Sequence, residues 1–165
     1  MDSRRDADLP AAAVPPSAQH TQQDRKNPTA KGICERFYIG IQVLNDHDFD
    51  HKTENGQLVR SYVSPTFTAR FENIGEEMNW IELTHVWREW HQQYPEMRFE
   101  VSHCSCDVDV GRGVAQLYAE MTVSVDRGVE LGSLVKACHR RRKDGKWMYE
   151  SFHGLRGMKQ NGGFV

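Results

Sequence analysis

The chain has 165 residues, a formal net charge of −2, and 27% charged against 38% hydrophobic residues. That is enough for one domain with its own core and too little for two. The near balance of charge gives no general attraction to nucleic acid or anionic membrane, and no apolar run approaches the roughly 18 residues of a spanning helix, so neither is an expected partner.

Residues 1–28 are rich in Asp, Arg, Gln, Pro and Ala, with too few large apolar side chains to offset the entropy of ordering, and read as a disordered N-terminal tail. Asp2, Asp6 and Asp8 speak against a transit peptide, and the first residues lack the apolar stretch of a signal peptide. The four cysteines, Cys34, Cys104, Cys106 and Cys138, lack paired Cys-x-x-Cys spacing and read as reduced thiols. A cytoplasmic location is the default expectation.

Over residues 30–45, Ile33, Cys34, Phe37, Tyr38, Ile41 and Leu44 recur at helical spacing and share a face, with Tyr38 and Asn45 at its flank. A flanking tyrosine is ordinarily a core residue, but its hydroxyl is also placed to reach a pocket. In the run Asp46-His47-Asp48-Phe49-Asp50-His51, carboxylates and imidazoles interleave like metal ligands. Because Asp is a poor helix former and the run follows a helix, a solvated loop accounts for it, and no metal is expected.

Residues 56–62 read as a short helix before Pro65, and residues 66–72 as a strand with Phe67, Ala69 and Phe71 on one side. Residues 73–78 read as a polar loop, after which Asn79 caps a long helix. On that helix Trp80, Leu83, Trp87, Trp90 and Tyr94 form an apolar face ended by Pro95, Thr84 and His91 border it, and His85 points away. Such a stripe is first of all packing, and it is also how small-molecule pockets are walled.

Residues 97–110 and 114–125 alternate as a hairpin around Gly111-Arg112-Gly113. Ala115, Leu117, Ala119, Met121 and Val123 share the buried face, and a two-residue turn adds Cys104, Cys106 and Val108 to it while setting His103 opposite Glu120 on the polar face. A second hairpin follows over residues 131–157, turning at Asp144-Gly145, since Asp-Gly suits the positive φ angles of a tight turn.

A two-residue turn there pairs Arg142 with Trp147, Arg140 with Tyr149, Cys138 with Ser151 and Lys136 with His153 on one face. The other face carries Arg141 with Met148, His139 with Glu150, Ala137 with Phe152 and Val135 with Gly154, so a base meets an acid. The basic run 139–143 splits between the two faces, which argues against a nucleic-acid patch. Residues 158–165 are glycine-rich and read as a loose C-terminal tail. The order of elements predicts an α+β fold, a cone-shaped barrel in which a strongly curved, mostly antiparallel sheet is covered by the N-terminal helix and the long amphipathic helix.

Asp144-Gly145-Lys146-Trp147 followed by Phe152-His153, with this element order, resembles the nuclear transport factor two-like superfamily and within it the SnoaL-like group, over roughly residues 29–157. The resemblance implies a single domain over those residues, a homodimer, and any of several activities: polyketide cyclases, isomerases, dehydratases, epoxide hydrolases and silent dimerisation modules share the fold. Tyr62-Val63-Ser64-Pro65-Thr66-Phe67 is similar to the helix-to-strand step of the scytalone dehydratase branch. Phe71 stands where that branch carries a tyrosine, Ala119 where it carries a pocket histidine, and Phe152 where SnoaL-type cyclases carry an aspartate.

The expectation is therefore a cofactor-independent acid–base enzyme, of cyclase or isomerase type, acting on a polyketide- or terpenoid-like molecule of secondary metabolism. His139 would transfer the proton, Glu150 across the hairpin would orient it, and Arg141 would stabilise an enolate or phenolate. Tyr38, Trp87, Trp90, His91, Phe67, Phe71, Met121 and Phe152 would bind substrate. With the two sheet faces exchanged, the candidates become His153, Tyr149, Lys136 and Ser151. The alternative is a non-catalytic ligand-binding or dimerisation module, in which His139 and Glu150 merely support the sheet.

Overall fold

The computed structural model describes residues 28–125 and 128–156. Of the tail expected at residues 1–28, Pro28 begins a helix and the rest lies outside the described residues, as does the tail expected at residues 158–165. Helix α1, Pro28–Asn45, is followed by α2, Glu54–Ser61, then strands β1, Val63–Phe71, and β2, Ile74–Met78. Helix α3, Trp80–Gln93, leads into β3, Arg98–Asp109, β4, Val114–Ser124, β5, Glu130–Arg141, and β6, Trp147–Arg156.

The strands form one six-stranded sheet in the order β2-β1-β6-β5-β4-β3. Among the described residues only the β1–β6 pairing is parallel. Strand β2 replaces the loop expected over residues 73–78. Its polar residues Gly75, Glu76 and Glu77 are exposed at the sheet edge, so it carries little of the hydrophobic alternation that marks a strand.

Asn79 caps α3 by accepting from the Glu82 amide at 3.0 Å, and the Glu82 carboxylate accepts from the Asn79 amide at 2.8 Å. This capping box fixes where α3 starts. Helix α3 packs on β1 and β2, whereas α1 packs on β3 and β4. The two helices thus cover opposite wings of the sheet, and the inner face of β5 and β6 lies beneath the space between them.

The first long hairpin has the expected register from its turn to His103, with Cys106 opposite Leu117 and His103 opposite Glu120, and shifts by one residue between His103 and Val101. Its buried row includes Ala115, Leu117, Ala119 and Met121. In the second, the turn is longer than expected: Gly145 donates to the Arg142 carbonyl at 3.0 Å, Arg142 donates to the Lys146 carbonyl at 2.8 Å, and Gly145 has φ +86°. Lys143, Asp144 and Gly145 form a three-residue loop, with glycine taking the left-handed position.

The longer loop pairs Arg141 with Trp147, Arg140 with Met148 and His139 with Tyr149, in place of the pairs expected from a two-residue turn. Glu150 is then left over as a β-bulge, and beyond it the expected pairs return, Cys138 with Ser151, Ala137 with Phe152, Lys136 with His153 and Val135 with Gly154. Two one-residue irregularities cancel, and only the segment between them changes partners.

Candidate active site

A cavity of about 60 Å³ lies between the helices and the inner face of β5 and β6. That is room for a few water molecules. Helix α1 supplies Arg36, Phe37 and Ile41, α3 supplies Trp80, Thr84 and Trp87, and the sheet supplies His139, Tyr149 and Phe152. Asp48, His51 and Tyr62 complete the polar lining.

His139 is 4% exposed and lies flat against Tyr149, with ring centroids 4.9 Å apart and planes 9° from parallel. The bulge at Glu150 makes this stack, because it shifts Tyr149 onto the face that carries Ala137 and His139. The His139 Nδ1 atom is buried without a hydrogen-bond partner. Burial, and secondarily the nearby Arg36 charge, pushes the His139 pKa down to about 4. The ring is therefore uncharged at neutral pH.

The Arg36 guanidinium donates to the Trp147 carbonyl at 3.3 Å and lies 5.1 Å from the centre of the Tyr62 ring. The Tyr62 hydroxyl donates to the Arg36 carbonyl at 3.2 Å, and the Tyr149 amide donates to the Tyr62 carbonyl at 2.6 Å. Burial raises Tyr62 to about 12 despite the opposing Arg36 charge. Burial and the neighbouring Tyr62 raise Tyr149 as well. Both phenols keep their protons at neutral pH, so they act as neutral hydroxyls.

Asp48 accepts from the Lys52 amide at 2.8 Å, the Thr53 amide at 3.0 Å and the Thr53 hydroxyl at 2.6 Å. Burial works against its charge, but the Thr53 hydroxyl, the two amides and His51 outweigh it and hold the carboxyl below its ordinary range. The loop thus folds around Asp48 instead of leaving it in solvent. His51 has φ +55°, and burial lowers its pKa against the pull of Asp48. Among the described residues no group of three His, Cys, Asp or Glu side chains converges as metal ligands.

Several expected site residues lie elsewhere. Glu150 is not beside His139: it accepts from the Thr66 hydroxyl at 3.2 Å and joins Arg140 to Asp144 in a surface groove. Arg141 is exposed, donates to the Val110 carbonyl at 3.0 Å and lies over Trp147, outside the cavity. Lys136 and His153 pair across the strands without lining the cavity, and Lys136 instead sits 6.0 Å from the Tyr118 ring. Of the candidates for exchanged faces, Tyr149 lines the cavity and Ser151 does not.

Trp87 and Phe152 line the cavity. Phe67 supports it from behind, edge-on to Trp80 at 5.2 Å and Tyr149 at 4.9 Å. Phe71 packs between Trp90 and Phe152, so Phe71 and Trp90 form an adjoining core layer. Met121 is buried under α1's wing without reaching the lining. Tyr38 is 46% exposed and does not line the cavity. His91 is buried outside it, with Nδ1 2.8 Å from the Trp87 carbonyl and its ring 4.4 Å from that of His47.

Arg36, Tyr62, Asp48 and His51 were not among the expected site residues. Asp48 and His51 stand in the run that reads as a solvated loop and Tyr62 opens the segment similar to the dehydratase branch, whereas the signal for Arg36 was its place between Ile33 and Phe37, at the border of the buried face of α1.

A six-stranded, mostly antiparallel sheet with helices enclosing a pocket on one face defines the chain as having the NTF2-like fold. No protein-family model matches the chain, and no curated protein matches it. An NTF2-like protein of unknown function from Pseudomonas putida is similar, with a TM-score of 0.63 at 13% identity, covering 81% of this chain and 89% of that one. ActVI-ORFA from Streptomyces coelicolor gives 0.57 at 15% identity, over 75% and 94% of the two chains. A provisional dehydratase of the NTF2-like family from Streptomyces avermitilis gives 0.60 at 11% identity, over 79% and 97%. Likeness at these identities concerns the fold and not the reaction.

Proposed function

We propose that the chain is a cofactor-independent acid–base enzyme, of cyclase or isomerase type, acting on a polyketide- or terpenoid-like small molecule of secondary metabolism. The observation that carries this reading is an uncharged, buried His139 with an unpartnered ring nitrogen, stacked on Tyr149 in a cavity with largely aromatic and aliphatic walls. A neutral imidazole can take a proton from carbon beside a carbonyl and return it at another atom. Arg36 lines the same cavity and would stabilise the enolate that forms, in surroundings whose largely apolar walls hold few water molecules. The oxyanion role expected for Arg141 passes to Arg36, and the role expected for Glu150 has no carboxylate in that place.

The protein is proposed to work in the cytoplasm as a homodimer. Tyr118 and Leu134, both exposed on the sheet face away from the helices, support pairing of sheets. The absence of Glu150 from the cavity favours a second reading, a ligand-binding module without turnover.

The test is a turnover screen with aromatic polyketide and terpenoid intermediates, comparing the natural protein with His139→Ala and Glu150→Gln. The enzyme reading expects conversion to fall by about 10²–10⁴-fold in His139→Ala and to survive in Glu150→Gln. Binding without conversion in the natural protein would establish the module.

A further inference from the structure

We propose that the ligand of this cavity carries a carboxylate, or an equivalent oxyanion, on an aromatic or alicyclic body, and that Arg36 receives it. The inference rests on reading the cavity as a small-molecule site and names the chemical class that the site selects.

A guanidinium has five N–H donors and cannot shed its charge. Among the described residues Arg36 has one side-chain hydrogen bond, to the Trp147 carbonyl, and the face of Tyr62. No carboxylate among the described residues pairs with it. Asp48 lines the same cavity, but its oxygens are taken by Lys52 and Thr53. Arg36 is half-buried, so water meets part of its charge, and a ligand oxyanion would supply on the cavity side the counterion that the described residues do not. Arg36 also offers the planar fork that carboxylates fit in bidentate fashion.

His139 gives an independent second observation from the opposite wall. Its ring lines the same cavity and its Nδ1 is buried without a partner, so the wall facing Arg36 carries polar capacity that no described side chain satisfies. Phe37, Ile41, Trp87 and Phe152 supply apolar surface for a ring, which enters as these side chains move apart, since the cavity of about 60 Å³ holds only a few water molecules as it stands. Ligand and catalyst are then coupled. The Arg36 charge contributes to holding His139 uncharged, so an anion seated on Arg36 offsets that charge and raises the basicity of His139. The substrate carboxylate thus stands in for the acid that Glu150 does not provide.

Benzoate and its neutral near-isostere benzamide are the probes. Trp80 and Trp87 line the cavity and report binding by fluorescence, with calorimetry as a second readout. Benzoate is expected to bind at least ten-fold more tightly than benzamide at pH 7, a difference of about 1.4 kcal/mol. Arg36→Gln should abolish that preference, and Arg36→Lys, which keeps the charge without the planar fork, should retain part of it. In the natural protein, benzoate should also shift the NMR titration of His139 upward and benzamide should not, a measurement that needs no folded variant.

Equal binding of the two probes, no binding of either at millimolar concentration, or a preference that persists in folded Arg36→Gln would overturn the proposal. The outcome is separable from turnover. Benzoate selectivity with no conversion of any substrate would remove the enzyme reading and keep the anion site, whereas turnover of neutral ketones without benzoate selectivity would do the reverse.

Discussion

Replacing His139 with Phe should make the protein more resistant to acid. The phenyl ring keeps a flat surface against Tyr149, where the His139 ring stacks at 4.9 Å, but it cannot take a proton. The His139 pKa falls from 6.5 to about 4 on folding, chiefly through burial. Between those values the unfolded chain holds the proton and the folded chain does not, so protonation favours unfolding. Stability from the neutral ring is fully present above pH 6.5 and is lost as pH falls toward 4. At about 1.4 kcal/mol per pKa unit, the loss between pH 7 and pH 4 is about 3 kcal/mol. Urea unfolding at both pH values, for both proteins, isolates this term, because every other titrating group is common to the pair. The His139→Phe protein should lose about 3 kcal/mol less than the natural one. Equal losses, or a His139 resonance that titrates near its ordinary value, would refute the reasoning.

Gly154→Ala should destabilise the sheet, since a Cβ there would lie 2.7 Å from Phe71 Cδ1 and 3.2 Å from Phe152 Cε1, two ring atoms fixed in the core. Overpacking of this kind costs about 1–3 kcal/mol, measurable as a lower urea midpoint with unchanged slope. Asp48→Asn should lose about 1–3 kcal/mol at pH 7, because the amide replaces a charged acceptor of three hydrogen bonds. The lowered Asp48 pKa adds stability that is present above the carboxyl's unfolded value, 3.8, and is lost as pH falls through the folded value. The variant's stability should accordingly fall less steeply below about pH 4, and an unchanged acid limb would sink this account.

The long elements were legible because each rests on one local period. The apolar stripe Trp80, Leu83, Trp87 marks α3, and its start at Asn79 is a capping signal contained within a few residues. Alternation in β4 identified the buried row from Ala115 to Met121. Edge strand β2 lacked a signal of the same kind, since it is held by pairing with β1 and buries little but Met78.

Thus local pattern alone reaches the α+β plan, the inward face of β4 and the turn region around Gly145, and it leaves open whether the His139 side or the His153 side of the last hairpin faces inward. Which side is buried, and what His139 meets, follow from the tertiary packing. Strand register is a count from the turn, and one loop residue or one bulge changes every partner between them. The longer loop at Lys143-Asp144-Gly145 and the bulge at Glu150 exchange Glu150 for Tyr149 opposite His139. The cation of the site likewise comes from Arg36, more than a hundred residues away in sequence from the Trp147 carbonyl it binds. Contacts of that range are set by how α1 lies across the sheet, which no local period encodes.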